Sequence, residues 1–454
     1  MKTLSLRTLL LFSSILFATV VEAQTAGDVQ YDDKQQTNRD DMEALRRWLR
    51  DKRLVSVKEI GGDLSISGEV RVEGQFINEA KNYNTLPPNA VGGLTVDLDK
   101  WLNQRGANGS NEADAIAAKM TSDKAELAWD VEFNLMLDYR TDRTWAAVKI
   151  EFDNDMGVRS GTVNKIRLEK AYLGGRLIAG DSFTWDAEIG RRNLINVFDS
   201  KLEFGALFDG LLTRFSKAWP SIGDFYFNAG AFLVDDKTNH YGYVGELGAI
   251  KIANTGMNLK FSAIDWQKHF STPTQDDRYR FLVAQLLAYY QFTPAWTGTR
   301  LVKFYAAALN NTIARPLNET KTFASQTDSD EKLNWGWYAG MSMGVIKRAG
   351  DWAIDVNYQW VQAQAVPDFD SSGAGLGNAA GVGFYTVNID GGGGPNTLAN
   401  ATGNNNYHGF AIEALYAFTS NLTFQQNFTW TRRLDAIGPN HRYKLYEAEF
   451  IYAF

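Results

Sequence analysis

Not one of the 454 residues is cysteine. That rules out a disulfide framework and leaves no thiol for catalysis or metal binding. Beyond residue 23 no apolar run reaches the roughly 18 residues that a membrane-spanning helix needs. Basic charge is also short: 46 Lys and Arg stand against 53 Asp and Glu, an acidic balance that argues against nucleic acid as a partner. Only four histidines occur, His240, His269, His408 and His441. No HExxH, GxSxG or P-loop pattern accompanies them, and all four read as solvated residues in or beside outer loops. No enzyme, metal or organic cofactor is called for.

The chain opens with a basic stretch (Lys2, Arg7), an apolar core from Leu9 to Val21 and the small-residue site Val21-Glu22-Ala23. This is the pattern of a secretory signal over 1–23. Residues 24–62 read as a polar, periplasmic N-terminal segment. Within it a helix is expected near 40–53, capped by Asn38, acidic in its first turn and basic in its last. Met42, Leu45, Trp48 and Leu49 give it a narrow apolar stripe.

From Asp63 the period becomes two. Leu64, Ile66, Gly68, Val70, Val72, Gly74 and Phe76 alternate with Ser65, Ser67, Glu69, Arg71, Glu73 and Gln75. Successive strand residues point to opposite faces, so this strand has one face for an apolar medium and one for water. The next strand, about 124–139, repeats the pattern with Asp130 and Glu132 among its polar residues. A third carries Lys149, Glu151 and Asp153 on its polar side, and a fourth Arg167 and Glu169. Continued alternation places strands near 182–190, 202–215, 224–234, 241–253, 257–267, 279–292, 300–310, 333–347, 351–365, 407–418, 421–432 and 443–454. Sixteen strands result. The long links at 81–123, 311–332 and 366–406 all fall on one end of such a meander, and the tight ones at 141–143, 254–256, 348–350 and 419–420 on the other. The Gly- and Asn-rich stretch 371–406, with Gly391 to Gly394, reads as an outer loop. Mean hydropathy is −0.30, which looks soluble. Yet 13% aromatic residues and 40 glycines suit a barrel with an apolar exterior and a wet interior.

The last strand sharpens the reading. Tyr446, Ala448, Phe450, Tyr452 and Phe454 share one face, and Glu447 and Glu449 lie between them. This segment resembles the closing strand of bacterial outer-membrane β-barrel proteins. Leu168-Glu169-Lys170-Ala171-Tyr172-Leu173-Gly174 and Phe208-Asp209-Gly210 resemble strand patterns of sixteen-stranded porins, at the level of pattern over 63–454. The resemblance implies an all-β transmembrane antiparallel barrel over 63–454, in the bacterial outer membrane and among its lipids. It also implies a homotrimer, and Phe450, Tyr452 and Phe454 as a signal to the barrel-assembly machinery. The link between strands five and six carries Arg191, Arg192, Asp199, Lys201 and Glu203. In porins the equivalent loop folds inward as a constriction, although this one is short for the role.

The resulting expectation is passive diffusion of small hydrophilic solutes and ions through a water-filled pore. The inner wall, which includes Glu69, Arg71, Glu73, Asp130, Glu132, Arg167 and Glu169, is net acidic, so a weak cation preference follows unless Arg191 and Arg192 dominate the narrowest point. The alternatives are a substrate-selective channel for sugar, phosphate or carboxylate, and a surface adhesin or structural barrel with a blocked lumen. Most tryptophans fall on the apolar face. Only Trp145 and Trp266 read as inward, so no aromatic row for sugar stacking is expected.

Overall fold

The computed structural model describes residues 55–59, 62–82, 123–156, 165–180, 182–235, 240–268, 281–298, 300–314, 331–367, 370–376, 405–435 and 440–454. The expected signal segment, the helix near 40–53, Gly391 to Gly394 and His269 lie outside them.

A short strand β1 (Val55–Glu59) turns back on β2 (Gly62–Asn82), in a stretch that reads in sequence as the end of the polar N-terminal segment. The chain then runs through β3 (Asp123–Arg140), β4 (Thr144–Asp155), β5 (Lys165–Ala179), β6 (Phe183–Asn193), β7 (Leu207–Trp219) and β8 (Gly223–Asp235). It continues with β9 (His240–Ile250), β10 (Met257–Lys268), β11 (Phe281–Phe292), β12 (Val302–Asn311) and β13 (Trp335–Gly344). The last four are β14 (Trp352–Val361), β15 (Tyr407–Ala417), β16 (Leu422–Arg433) and β17 (Asn440–Ala453). Each strand from β2 to β17 pairs antiparallel with the next, and β17 pairs with β2. The result is a closed barrel of sixteen strands. Closure satisfies the backbone of every strand within the sheet, which lipid demands because an unpaired amide there costs several kcal/mol.

The seam pairs β17 with β2 from Asn440 to Ala453, and Phe454 extends it. Phe454 N–H donates to Gly68 O at 2.9 Å and Gly68 N–H to Phe454 O at 3.0 Å. The Phe454 ring lies over Gly68, where an added Cβ would stand 2.7 Å from it, and stacks on Phe133 at 6.3 Å between centroids. A side chain at position 68 would compete with that ring for the seam.

The outward residues of the alternation form an apolar belt, with Leu127, Ile166, Trp185, Leu211, Leu286 and Trp335 all exposed. Such a surface on a closed barrel fits hydrocarbon. The long connections lie on one end and the short turns, such as 141–143, 220–222 and 418–421, on the other.

Two departures from simple alternation matter. In β5 the register against β4 shifts between Lys149 and Ile150, so that Lys149 opposes Lys170 while Ile150 opposes Leu168. Glu169 is the extra residue of a bulge, which reverses the phase of the strand. Leu168 and Leu173, five apart, are consequently both exposed outside, and Lys170 joins the inner face. The second departure is at β7, expected to begin at 202. Residues 202–206 instead belong to a connection that leaves the wall and enters the lumen.

Candidate pore constriction

The inserted connection, 194–206, is anchored where it leaves the wall. Leu194 N–H donates to Ala206 O at 3.1 Å, and a single 3-10 turn at Leu194–Asn196 starts the inward course. Leu194, Val197, Phe198, Leu202 and Phe204 are buried in one cluster with inward residues of β7 to β15, among them Phe232, Trp266, Val283 and Tyr338. Each such side chain contributes about 2 kcal/mol when taken out of water. The inner wall here sets many apolar residues among polar ones, and stretches of these strands are apolar on both faces. In β11, Leu286 is exposed outside while Leu287 is fully buried inside. A run such as Phe281-Leu282-Val283-Ala284-Gln285-Leu286-Leu287 is the signature of a strand covered on both sides. That signal was present in the sequence and marks the bed on which the loop lies.

Polar contacts fix the loop across the bore. The Asp199 carboxylate meets Lys260 Nζ on β10 at 2.7 Å. Its backbone N–H donates to Glu246 on β9 at 3.1 Å, and its carbonyl accepts from Gln285 on β11 at 2.7 Å. Lys201 Nζ lies 3.3 Å from Asp355 on β14, which also accepts from the Tyr305 hydroxyl at 2.6 Å. From β6 to β14 is eight strands in a ring of sixteen, so the loop reaches the opposite wall.

A second segment folds in above the first. Asp370, from the connection after β14, accepts Ala206 N–H on Oδ1 at 3.1 Å and Gly205 N–H on its carbonyl at 2.8 Å. Ser372 donates from N to Leu202 O at 3.0 Å and from Oγ to Glu203 O at 2.8 Å. The Glu203 side chain is fully buried at this junction, and neither of its carboxylate oxygens has a hydrogen-bond partner. Burial, then the nearby Asp370 and Glu246, push the Glu203 carboxyl well above the ordinary range. Burial pushes Asp370 up to about 7.

The rest of the lumen wall is polar: β2 to β6 and β17 carry charges, and β16 contributes Thr423, Gln425, Asn427 and Thr429. Arg71 donates from Nε to Glu69 at 2.9 Å and from Nη1 to Glu449 at 3.0 Å, with Glu132 3.9 Å away. Asn134 also donates to Glu69, at 2.8 Å. Glu449 lies opposite Glu73, Glu73 opposite Asp130 and Asp130 opposite Asp155, so four acids share one rung. Lys149 pairs with Glu169 and lies 3.6 Å from Glu151, which Arg167 also contacts. Arg192 is buried, bonded to Glu188 and stacked 4.6 Å over Tyr172. Glu188 also accepts from Trp145 Nε1 at 3.0 Å and lies 3.5 Å from Arg214.

The residues anticipated from sequence are thus divided. Glu69, Arg71, Glu73, Asp130, Glu132, Arg167, Glu169 and Arg192 stand on the inner wall. Asp199, Lys201 and Glu203 are on the inserted loop, facing the far wall and the second segment. Arg191 must be corrected: it shares the outer face with Ile189 and Leu211 and forms a two-pronged bond with Asp209, both contacts 2.7 Å. Alternation beside the inward Arg192 requires this. Inward aromatics were also missed. Trp145 and Trp266 do point inward, but so do Phe232, Tyr289, Tyr305, Tyr338 and Tyr407. They form the bed under the loops. Nor is His441 a solvated loop residue: it is buried on β17, 2.7 Å from Glu79, while His408 sits in β15 beside Tyr358.

No family model matches this chain, and no curated protein matches it. Among solved structures it is similar to OprB of Pseudomonas putida, at 9% identity, with 87% of this chain and 94% of that one covered and a TM-score of 0.48. OmpF of Salmonella typhi, in complex with daunomycin, matches at 10% identity over 88% of this chain and 100% of that one, TM-score 0.45. The outer-membrane channel DcaP of Acinetobacter baumannii matches at 10% over 87% and 99%, TM-score 0.42. The fold assignment rests on this chain's own pairing. By its strand number, closure, apolar belt and one-sided long connections, the chain is a sixteen-stranded antiparallel β-barrel of the outer-membrane type.

Proposed function

We propose that this barrel is an outer-membrane channel through which small hydrophilic solutes and ions pass passively, with a preference for cations. The observation that carries the reading is the rung Glu449, Glu73 and Asp130 on the inner wall. Like charges set directly opposite one another destabilise a sheet; Arg71 offsets Glu449, and water with mobile cations beside the rung relieves the rest. An acidic wall in turn raises the local cation concentration. The inserted loop covers the side of the lumen formed by β7 to β15 and leaves passage along this charged side. Phe450 and Tyr452 on β17 and Phe454 just after it, all outward and exposed, are proposed on the resemblance noted above to be what assembly machinery recognises.

A second reading is favoured by the inward fold of both connections: a barrel held closed until they withdraw. Single-channel recording of the refolded protein in a planar bilayer under a salt gradient separates the two. Steady steps with a cation-selective reversal potential are expected. Anion selectivity overturns the preference, and a folded barrel without conductance overturns the open channel.

A further inference from the structure

The outer face of β14 to β17, at the end bearing the long connections, breaks the pattern of the apolar belt. Three successive rungs run across these strands. The lowest is Val356, Ile412, Phe428 and Tyr446, wholly apolar or aromatic. The next is Tyr358, Phe410, Trp430 and Lys444, and the uppermost Trp360, His408, Arg432 and Arg442. Rungs on one face are about 7 Å apart. Three cations therefore lie within two rungs, directly above hydrocarbon-facing aromatics.

They line a cleft of about 630 Å³ together with His408, Trp430 and Arg433. Among the described residues no carboxylate pairs with Arg432, Arg442 or Lys444. Arg432 is also held in place: its Nε donates to His408 Nε2 at 2.8 Å, and His408 Nδ1 lies 2.6 Å from the Tyr358 hydroxyl. Because Nε2 accepts, the ring proton is on Nδ1 and the imidazole is neutral. The histidine thus orients the guanidinium without balancing its charge. A cluster of like charges at the edge of a lipid-facing surface is costly unless an anion meets it.

We propose that this cleft binds the phosphate-bearing headgroup of a membrane lipid, with Arg432, Arg442 and Lys444 on the phosphate and the acyl chains lying down over Trp430, Phe428 and Tyr446. A free phosphate would satisfy the cations equally well. The continuity of the cleft with the apolar belt favours the lipid, because a ligand there has one end in each medium.

The test uses the full chain folded in neutral detergent, with lipid retention read by native mass spectrometry. Dipalmitoyl phosphatidic acid is offered against the matching phosphatidylcholine, with and without millimolar inorganic phosphate. Phosphatidic acid should be retained about tenfold better than phosphatidylcholine, and inorganic phosphate should not displace it. The triple variant Arg432→Gln, Arg442→Gln, Lys444→Gln should lose the preference. Equal retention by that variant overturns the site. Displacement by inorganic phosphate overturns the lipid as its ligand. Should the triple variant fail to fold, as judged by heat-modifiable migration, the double variant Arg432→Lys, Arg442→Lys preserves charge. It must keep the preference, and a folded double variant without it overturns the proposal.

Discussion

The carboxylate of Asp199 and the ammonium of Lys260 meet at 2.7 Å with their side chains 3% and 1% exposed, a buried ion pair joining the inserted loop to the wall. Removing one member of such a pair strands the other charge and costs about 3–5 kcal/mol. Lys260→Met should therefore release the loop while the barrel stays closed. Unitary conductance is expected to rise, with heat resistance of the barrel little changed. The double variant Asp199→Asn, Lys260→Met should disturb the loop less. Unchanged conductance in Lys260→Met would show that the apolar contacts alone hold it.

Acidity should tighten the inward fold. Glu203 and Asp370 are both raised, Asp370 to about 7, whereas in a released, solvated loop they would titrate near 4. The released state therefore loses its protons first as pH rises. The inward fold is most favoured below about pH 4, weakens as pH climbs toward 7, and for Asp370 weakens no further above its own titration. Protease cleavage within 194–206 should slow as pH falls across that window. Asp370→Asn should flatten the dependence.

Neutralising the acidic rung should reduce cation selectivity. Glu73→Gln with Asp130→Asn removes two of the four acids set on one rung of the inner wall. Glu73→Gln alone should also stabilise the sheet slightly, since opposed like charges cost roughly 0.2–1 kcal/mol. The reversal potential under a salt gradient should move toward zero. A shift toward stronger cation preference would contradict the assignment.

The seam should be intolerant of bulk. A side chain at Gly68 would meet the Phe454 ring at 2.7 Å, so Gly68→Leu should slow refolding and lower the temperature at which the folded band is lost on gels. Phe454→Ala loses the stack on Phe133. The ring is only half covered by protein, so a smaller cost of about 1–2 kcal/mol is expected. Gly68→Ala should fall between wild type and Gly68→Leu.

Much of the fold was legible in the residues themselves. The series Leu64 to Phe76 and Tyr446 to Phe454 declare their outward faces because strand alternation is a local property of the backbone. The strand count and the one-sided long links follow from repeating that local rule. Strand phase fails where the backbone departs from it. The bulge at Glu169 reverses β5 and brings Lys170 inside, and nothing in Leu168-Glu169-Lys170 announces this. Arg191 was misplaced for a related reason: in a pair of adjacent arginines only one can face the lumen, and which one depends on the pairing with β7.

The sequence by itself determined most of the barrel's strands and outward faces and the acidic character of part of the inner wall, because each depends on neighbours two residues away. Only the tertiary structure decided where residues 194–206 go. Their destination depends on inner faces supplied by strands up to eight places round the ring, on Lys260, Asp355 and the aromatic bed beneath them. The same holds for the cationic cleft on β15 to β17. Arg432, Arg442 and Lys444 are ordinary charged residues in the chain, and become one site only when register sets their strands side by side.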